Sequence, residues 1–305
     1  MCEATKLKTS KSESNMFMWP PKEQEPGPLL RPPPTPIHLP NRLVESIETQ
    51  LLGRTGLAFD KWVQRTGWTR DLSHAFCWRC GGSVGEHESD GDGCATCRSK
   101  SLPWDRAVRL GRYKGILREE ILALKFHAWR PTGKGLGEHL GLSIRNQLER
   151  AQIAPDRVVL VPIPMHRFRR LSRGIDHTMV LAKAASASSG CKVASLLSTR
   201  YRPEQVGLSM TARARNMKGA FFVSGSSQRK LRRSIAQNRR VCVLIDDVRT
   251  TGATFVAACK ALKLGLKDAG ATNSGADSGG LGACMIWICC IGVAGESRDG
   301  RATEI

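Results

Sequence analysis

Residues Val241–Phe255 read VCVLIDDVRTTGATF, and no other stretch of the 305-residue chain constrains its fold as strongly. An apolar, β-branched run ends in two carboxylates, followed by a short loop rich in Thr and Gly and then an amphipathic helix over Thr254–Ala269. An apolar run without alternation marks a strand buried on both faces, as in a parallel sheet. Ligands of open α/β sheets bind outside the carboxyl ends of the strands, where this loop falls. The backbone N–H groups of Arg249, Thr250, Thr251, Gly252, Ala253 and Thr254 are expected to wrap a phosphate, with the positive end of the helix dipole behind it. Gly252 lets the backbone approach closely, and the threonines offer hydroxyl donors. Asp246 and Asp247 are placed to accept hydrogen bonds from the two hydroxyls of a ribose. A Walker-type loop is excluded, because no Gly-Lys-Ser/Thr follows.

The rest of the chain alternates in the same way. Arg106–Tyr113 reads as a strand, and Ile116–Phe126 as a helix with Ile116, Leu117, Ile121, Leu124 and Lys125 on helical phases. RVVLVPIP at 157–164 reads as a buried strand entering a loop, Asp176–Ser189 as a helix, and ACMIWICCIGV at 283–293 as the last strand. Strands alternating with helices give an α/β fold with an open, mainly parallel sheet. Residues 271–282 form a low-complexity connection.

Upstream, Cys77-Trp-Arg-Cys80 and Cys94-Ala-Thr-Cys97 are separated by 13 residues, the spacing of a zinc ribbon. Each CxxC turn presents two thiolates, and two turns complete a tetrahedral shell. A redox role would need only one pair. The organisation expected is a Pro-rich disordered tail over 1–40, a helical segment over 41–70, a double-CxxC zinc module over 71–102, the sheet domain over 103–296 and a C-terminal tail over 297–305. His74 and His87 read as bystanders to the cysteines, and His177 reads as a structural histidine on its helix.

Charge narrows the partners. From His166 to Arg240 there are 17 Lys/Arg against Asp176 and Glu204, a local net charge of +15 within a chain of +20. Such a window implies an anionic partner, either a phosphorylated small molecule or nucleic acid. At the exit of the 157–164 strand, His166, Arg167, Arg169, Arg170 and Arg173 are candidates for binding a diphosphate, since Arg suits bidentate contacts. Arg200, Gln205, Arg213, Arg215 and Asn216 fall in an apolar-poor segment suited to a lid over the ligand. Four of the eleven cysteines form the CxxC pairs and the rest are scattered or lie in apolar runs, which suits a reducing compartment. No run of ~18 apolar residues exists, so a cytoplasmic protein without membrane insertion is expected.

The loop at Asp246–Thr254 resembles the 5-phosphoribosyl-1-pyrophosphate (PRPP) motif of type I phosphoribosyltransferases. With RYKGILREEILALKFHA, VPIPMHRFRRLSRG and RYRPEQVGLSMTARARNMKGAF, the resemblance covers roughly residues 77–293 and extends to the ComF/GntX family of competence-associated proteins. It implies a type I phosphoribosyltransferase-like domain preceded by a structural zinc ribbon, with Asp246 and Asp247 on the ribose hydroxyls and Thr250–Thr254 on the 5-phosphate. It also implies Mg²⁺ bound with PRPP, and transfer of a phosphoribosyl group with release of pyrophosphate. The alternative is a non-catalytic module acting in DNA uptake through single-stranded DNA or competence and DNA-processing proteins. Where the family usually has RGFNQ, this chain has Arg173-Gly174-Ile175-Asp176-His177, and Arg249 stands where an aromatic is common.

Overall fold

Five strands and five helices form the sheet and its covering layers in the computed structural model, which describes residues 59–126, 130–166, 174–200, 217–271 and 284–295. Helix α1 (Phe59–Thr66) precedes a small antiparallel pair, β1 (Ser89–Asp90) with β2 (Gly93–Cys94). Then come β3 (Arg106–Arg112), α2 (Gly115–Phe126), α3 (Arg130–Arg150), β4 (Val158–Pro162), α4 (His177–Ser189) and β5 (Lys192–Val193). The two-residue strands β6 (Ser198–Thr199) and β7 (Phe221–Phe222) pair antiparallel, and α5 (Gly225–Ala236), β8 (Val241–Arg249), α6 (Ala253–Asp268) and β9 (Met285–Val293) complete the order. All of these residues fall within one compact unit, Arg54–Ile305.

Five strands form an all-parallel sheet in the order β3-β9-β8-β4-β5. The central strand β8 is buried from Val241 through Ile245, with Val243 opposite both Leu160 and Trp287. Val241, Val243 and Ile245 join Leu110, Trp287, Cys289 and Ile291 under α2, α3 and α4. Cys242 and Leu244 join Ile286, Ile288 and Cys290 under α5 and α6, where Leu231, Phe255 and Leu262 close the second core. Each fully buried Leu, Ile or Val contributes roughly 1.5–3 kcal/mol of transfer free energy, so this two-sided strand organises the domain.

The chain steps from β4 outward to β5 at one edge, and from β8 to β9 toward the other. The direction of winding therefore reverses between β4 and β8, and the crevice at their carboxyl ends is the natural ligand position of such a sheet.

The 21-residue helix α3 is a feature the hydrophobic pattern does not announce. It contains Gly133, Gly135, Gly137 and Gly141, which lower helix propensity, but their packing explains them. A Cβ at Gly137 would stand 2.7 Å from the Leu181 carbonyl, and one at Gly141 would stand 2.4 Å from that of Ala185. The stripe lets α3 and α4 run in parallel at close approach, and Ser188 Oγ donates to the Glu138 carbonyl at 2.8 Å.

The cysteine module docks on edge strand β3. Ala107 N donates to Trp78 O at 2.8 Å, and the buried Arg109 donates to Gly81 O at 3.0 Å and pairs with Asp71 at 2.6 Å. Within the module, Arg79 from the first CxxC turn donates to the carbonyls of Cys97 (2.7 Å) and Lys100 (2.8 Å), stapling the second turn to the first. The expected 1–40 tail, residues 41–58 of the expected helical segment and the 297–305 tail lie outside the described residues. None of the helices described is long and apolar enough to cross a membrane.

Candidate functional site

Successive side chains of a strand point to opposite faces, so Asp246 and Asp247 separate at the end of β8. Asp246 stands in register with Cys290 on the α6 side, whereas Asp247 turns toward α2 and α4. There Asp247 Oδ1 lies 3.3 Å from Lys125 Nζ, and its Oδ2 lies 2.8 Å from His177 Nε2. Asp247 is only 5% exposed. Burial pushes its carboxyl up, but the His177 contact and the Lys125 charge outweigh this and hold it down at about 2. Asp246 is half-buried, pairs with no cation among the described residues, and accepts Asp247 N at 2.9 Å. Burial first, and then the charge of Asp247, push Asp246 up to about 7. The two carboxylates thus divide: one is a fixed, paired anion, and the other keeps acceptor sites in reserve.

Local sequence explains where His177 sits. Gly174 takes a φ of 72°, the buried Ile175 anchors the turn, and Asp176 caps α4 by accepting Met179 N at 3.1 Å. Thr178 Oγ1 donates to the Ile163 carbonyl at 2.8 Å, which ties the helix start to the exit of β4. His177, read from sequence as a structural histidine on its helix, is buried against Asp247 and lines the candidate cleft. The readable signal was its place at the first turn of a helix following a parallel strand, since such helix starts gather at the ligand end of the sheet. Lys125 carried a signal too, as a cation one turn after Ile121 in the last turn of α2.

A cleft of about 190 Å³ brings together the predicted residues Asp246, Asp247, Thr254, His166 and Arg200, and adds Lys125, His177 and Phe221. Arg200 reaches it from β6, with its backbone N–H on Ala220 O at 2.9 Å and its guanidinium 5.1 Å from the Phe222 ring centre. The loop after β8 turns at Gly252, whose φ of 80° favours glycine and which starts α6. Thr251 Oγ1 accepts Ala253 N at 3.3 Å. Arg249 still belongs to the sheet, its carbonyl accepting Ala294 N at 2.9 Å, so the free loop begins at Thr250. Arg167, Arg169, Arg170, Arg173, Gln205, Arg213, Arg215 and Asn216 lie outside the described residues.

The four cysteines form a second cluster. Cys77 and Cys97 sulfurs are 3.6 Å apart, and both Cys80–Cys94 and Cys94–Cys97 are 3.7 Å apart. All four are buried and free. A tetrahedral ion with bonds of ~2.3 Å requires sulfurs about 3.8 Å apart, so the set fits a metal such as zinc. The crowded thiols split in acidity: the Cys80 hydrogen bond pushes Cys77 down to about 3, while Cys80 is pushed up. Gly82 N donates to Cys80 Sγ at 3.3 Å.

No family profile matches the chain. Competence protein F of Haemophilus influenzae is 27% identical over 199 residues, spanning 64% of this chain and 82% of that protein. DNA utilization protein YhgH of Escherichia coli is 31% identical over 164 residues, spanning 53% of this chain and 67% of that protein. The chain belongs to the ComF family. Its departures from the usual ComF RGFNQ segment have local reasons: Ile175 fills the core, Asp176 caps α4 and His177 holds Asp247. The four-cysteine cluster and the five-stranded parallel sheet are the two parts of this ComF-family fold.

Proposed function

We propose that this ComF-family protein binds PRPP, or a related ribose 5-phosphate compound, in the cleft between the ends of β4 and β8. The observation that carries this reading is the divided carboxylate pair at the point where the sheet reverses. Asp247 is fixed by Lys125 and His177, and Asp246, which pairs with no cation among the described residues, offers acceptor positions beside the Thr250–Thr254 loop. A ribose diol supplies hydroxyl donors to Asp246, the loop N–H groups and the start of α6 take the 5-phosphate, and His166 with Arg167, Arg169, Arg170 and Arg173 takes the diphosphate. Gln205, Arg213, Arg215 and Asn216, with Arg200 at the base, form the lid segment. Asp246, backed by Asp247, is the carboxylate suited to Mg²⁺, whose part is to neutralise a diphosphate. The fixed cations favour a leaving diphosphate, which is how positioned charge accelerates such a transfer. Cys77, Cys80, Cys94 and Cys97 hold a structural zinc in this reading.

The relatives' names, a competence protein and a DNA utilization protein, support a role in the uptake or use of DNA. A second reading keeps the ligand but not the turnover: the cleft senses a phosphoribosyl compound while other surfaces handle DNA. It is favoured by the acid-free, basic elements α4, β5 and α5. Pyrophosphate release from PRPP with Mg²⁺ across a panel of bases separates the two. Release with one base supports the transferase, and binding without release supports the sensor. Failure to bind at all contradicts both.

A further inference from the structure

The open edge of the sheet at β5 carries a second concave surface, away from the carboxylate cleft. It is a groove of about 520 Å³ between α4 and α5, and Lys183, Lys192, Lys230, Arg233 and Arg239 line it without any Asp or Glu. The absence of acids runs through the elements that build it: the described residues from His177 to Ile245 contain ten Lys/Arg and no Asp or Glu. None of the five lining cations has an ion-pair partner among the described residues. Helical spacing gathers them. Lys230, Arg233 and Ser234 form an i, i+3, i+4 stripe on α5 that Gln237 extends at its C-cap, and Met179 and Lys183 are one turn apart on α4.

The neighbouring Arg232 does not share this role, because its guanidinium donates to the Asp268 carbonyl at 2.8 Å and so caps α6. Like charges gathered on a concave face repel one another, and a polyanion offsets that repulsion.

We infer that this groove binds the phosphodiester backbone of single-stranded nucleic acid. The concavity, floored by a two-residue edge strand between two helices, admits one chain of phosphates rather than the rigid cylinder of a duplex. No aromatic side chain lines it, so bases find no stacking partner and binding is independent of sequence. The inference does not rest on the phosphoribosyl reading, because the groove and the cleft share no lining residue.

The test is fluorescence anisotropy with a mixed-sequence single-stranded oligodeoxynucleotide, its duplex, and polyglutamate of similar length, over a salt series. Each phosphate contact contributes about −0.7 to the log–log salt slope for a single strand. The Lys183→Glu, Lys230→Glu, Arg233→Glu triple variant is expected to flatten the slope by about two and to lower affinity by more than about tenfold at low salt. A triple Gln variant should lose an intermediate amount, with thermal melting reporting that both remain folded. Lys61→Glu, Lys260→Glu, Lys267→Glu makes the same change of charge on exposed positions outside the groove and should leave most binding intact. Equal losses in the two Glu variants, tighter binding of duplex or of polyglutamate, or no binding by the wild type at low salt would each overturn the proposal.

Discussion

His177 Nε2 and Asp247 Oδ2 lie 2.8 Å apart at the end of the central strand, and both side chains are buried. Removing the imidazole leaves the buried Asp247 carboxylate short of one partner, although Lys125 remains beside it. His177→Ala is therefore expected to lower the unfolding free energy by about 1–3 kcal/mol in urea titrations. His177→Gln, which keeps an N–H toward Asp247, should recover at least half of that loss. Equal losses in both variants would mean that the ring packs but does not pair.

The two adjacent carboxylates, Asp246 and Asp247, set a pH dependence. Asp246 is raised from 3.8 to about 7 by burial and by Asp247, so its contribution is fully present below about pH 4 and is lost as pH rises through about 7. Asp247 is depressed to about 2, so its contribution is present above about pH 4 and fades as pH falls through about 2. Between about pH 4 and pH 7 the folded protein holds a proton on Asp246 that the unfolded chain has released, and stability declines with pH. Asp246→Asn removes that decline. Its melting temperature relative to wild type should climb by several degrees across this window, in the ligand-free protein. A pH-independent difference would contradict the assigned burial of Asp246.

The cysteine cluster predicts about one zinc per chain by elemental analysis of the purified protein. Cys94→Ala with Cys97→Ala should abolish it and loosen the docking of the module on β3, because Arg79 staples the second turn through its carbonyls. Full retention of zinc in the double variant would place the metal elsewhere.

Much of this arrangement is legible in the sequence, for identifiable reasons. The strand at Val241, its carboxylates and the glycine turn are local features, and hydrophobic period and turn chemistry report local features well. Helix α3 is illegible because its glycines earn their place against α4, a partner tens of residues downstream. The role of His177 depends on Asp247, seventy residues on, and could be reached only by combining an Asp cap with the parallel topology. Asp247 shows the same limit. Two adjacent carboxylates read alike in the sequence, but both line the cleft and the alternation of the strand sets only Asp247 against Lys125 and His177.

That division decides how the central claim should be tested. Asp247→Asn would disturb Lys125 and His177 as well as any ligand, so the informative substitution is Asp246→Asn. The measurement is calorimetric titration of PRPP with Mg²⁺ into the wild type and into Asp246→Asn at neutral pH. A hydrogen bond to a carboxylate is worth ~1.5–3 kcal/mol, so saturable binding by the wild type and a loss of about 10- to 100-fold in the variant are predicted, with cooperative melting retained. Unchanged affinity in Asp246→Asn, or no heat of binding in the wild type, would contradict the assignment of this cleft to a phosphoribosyl ligand.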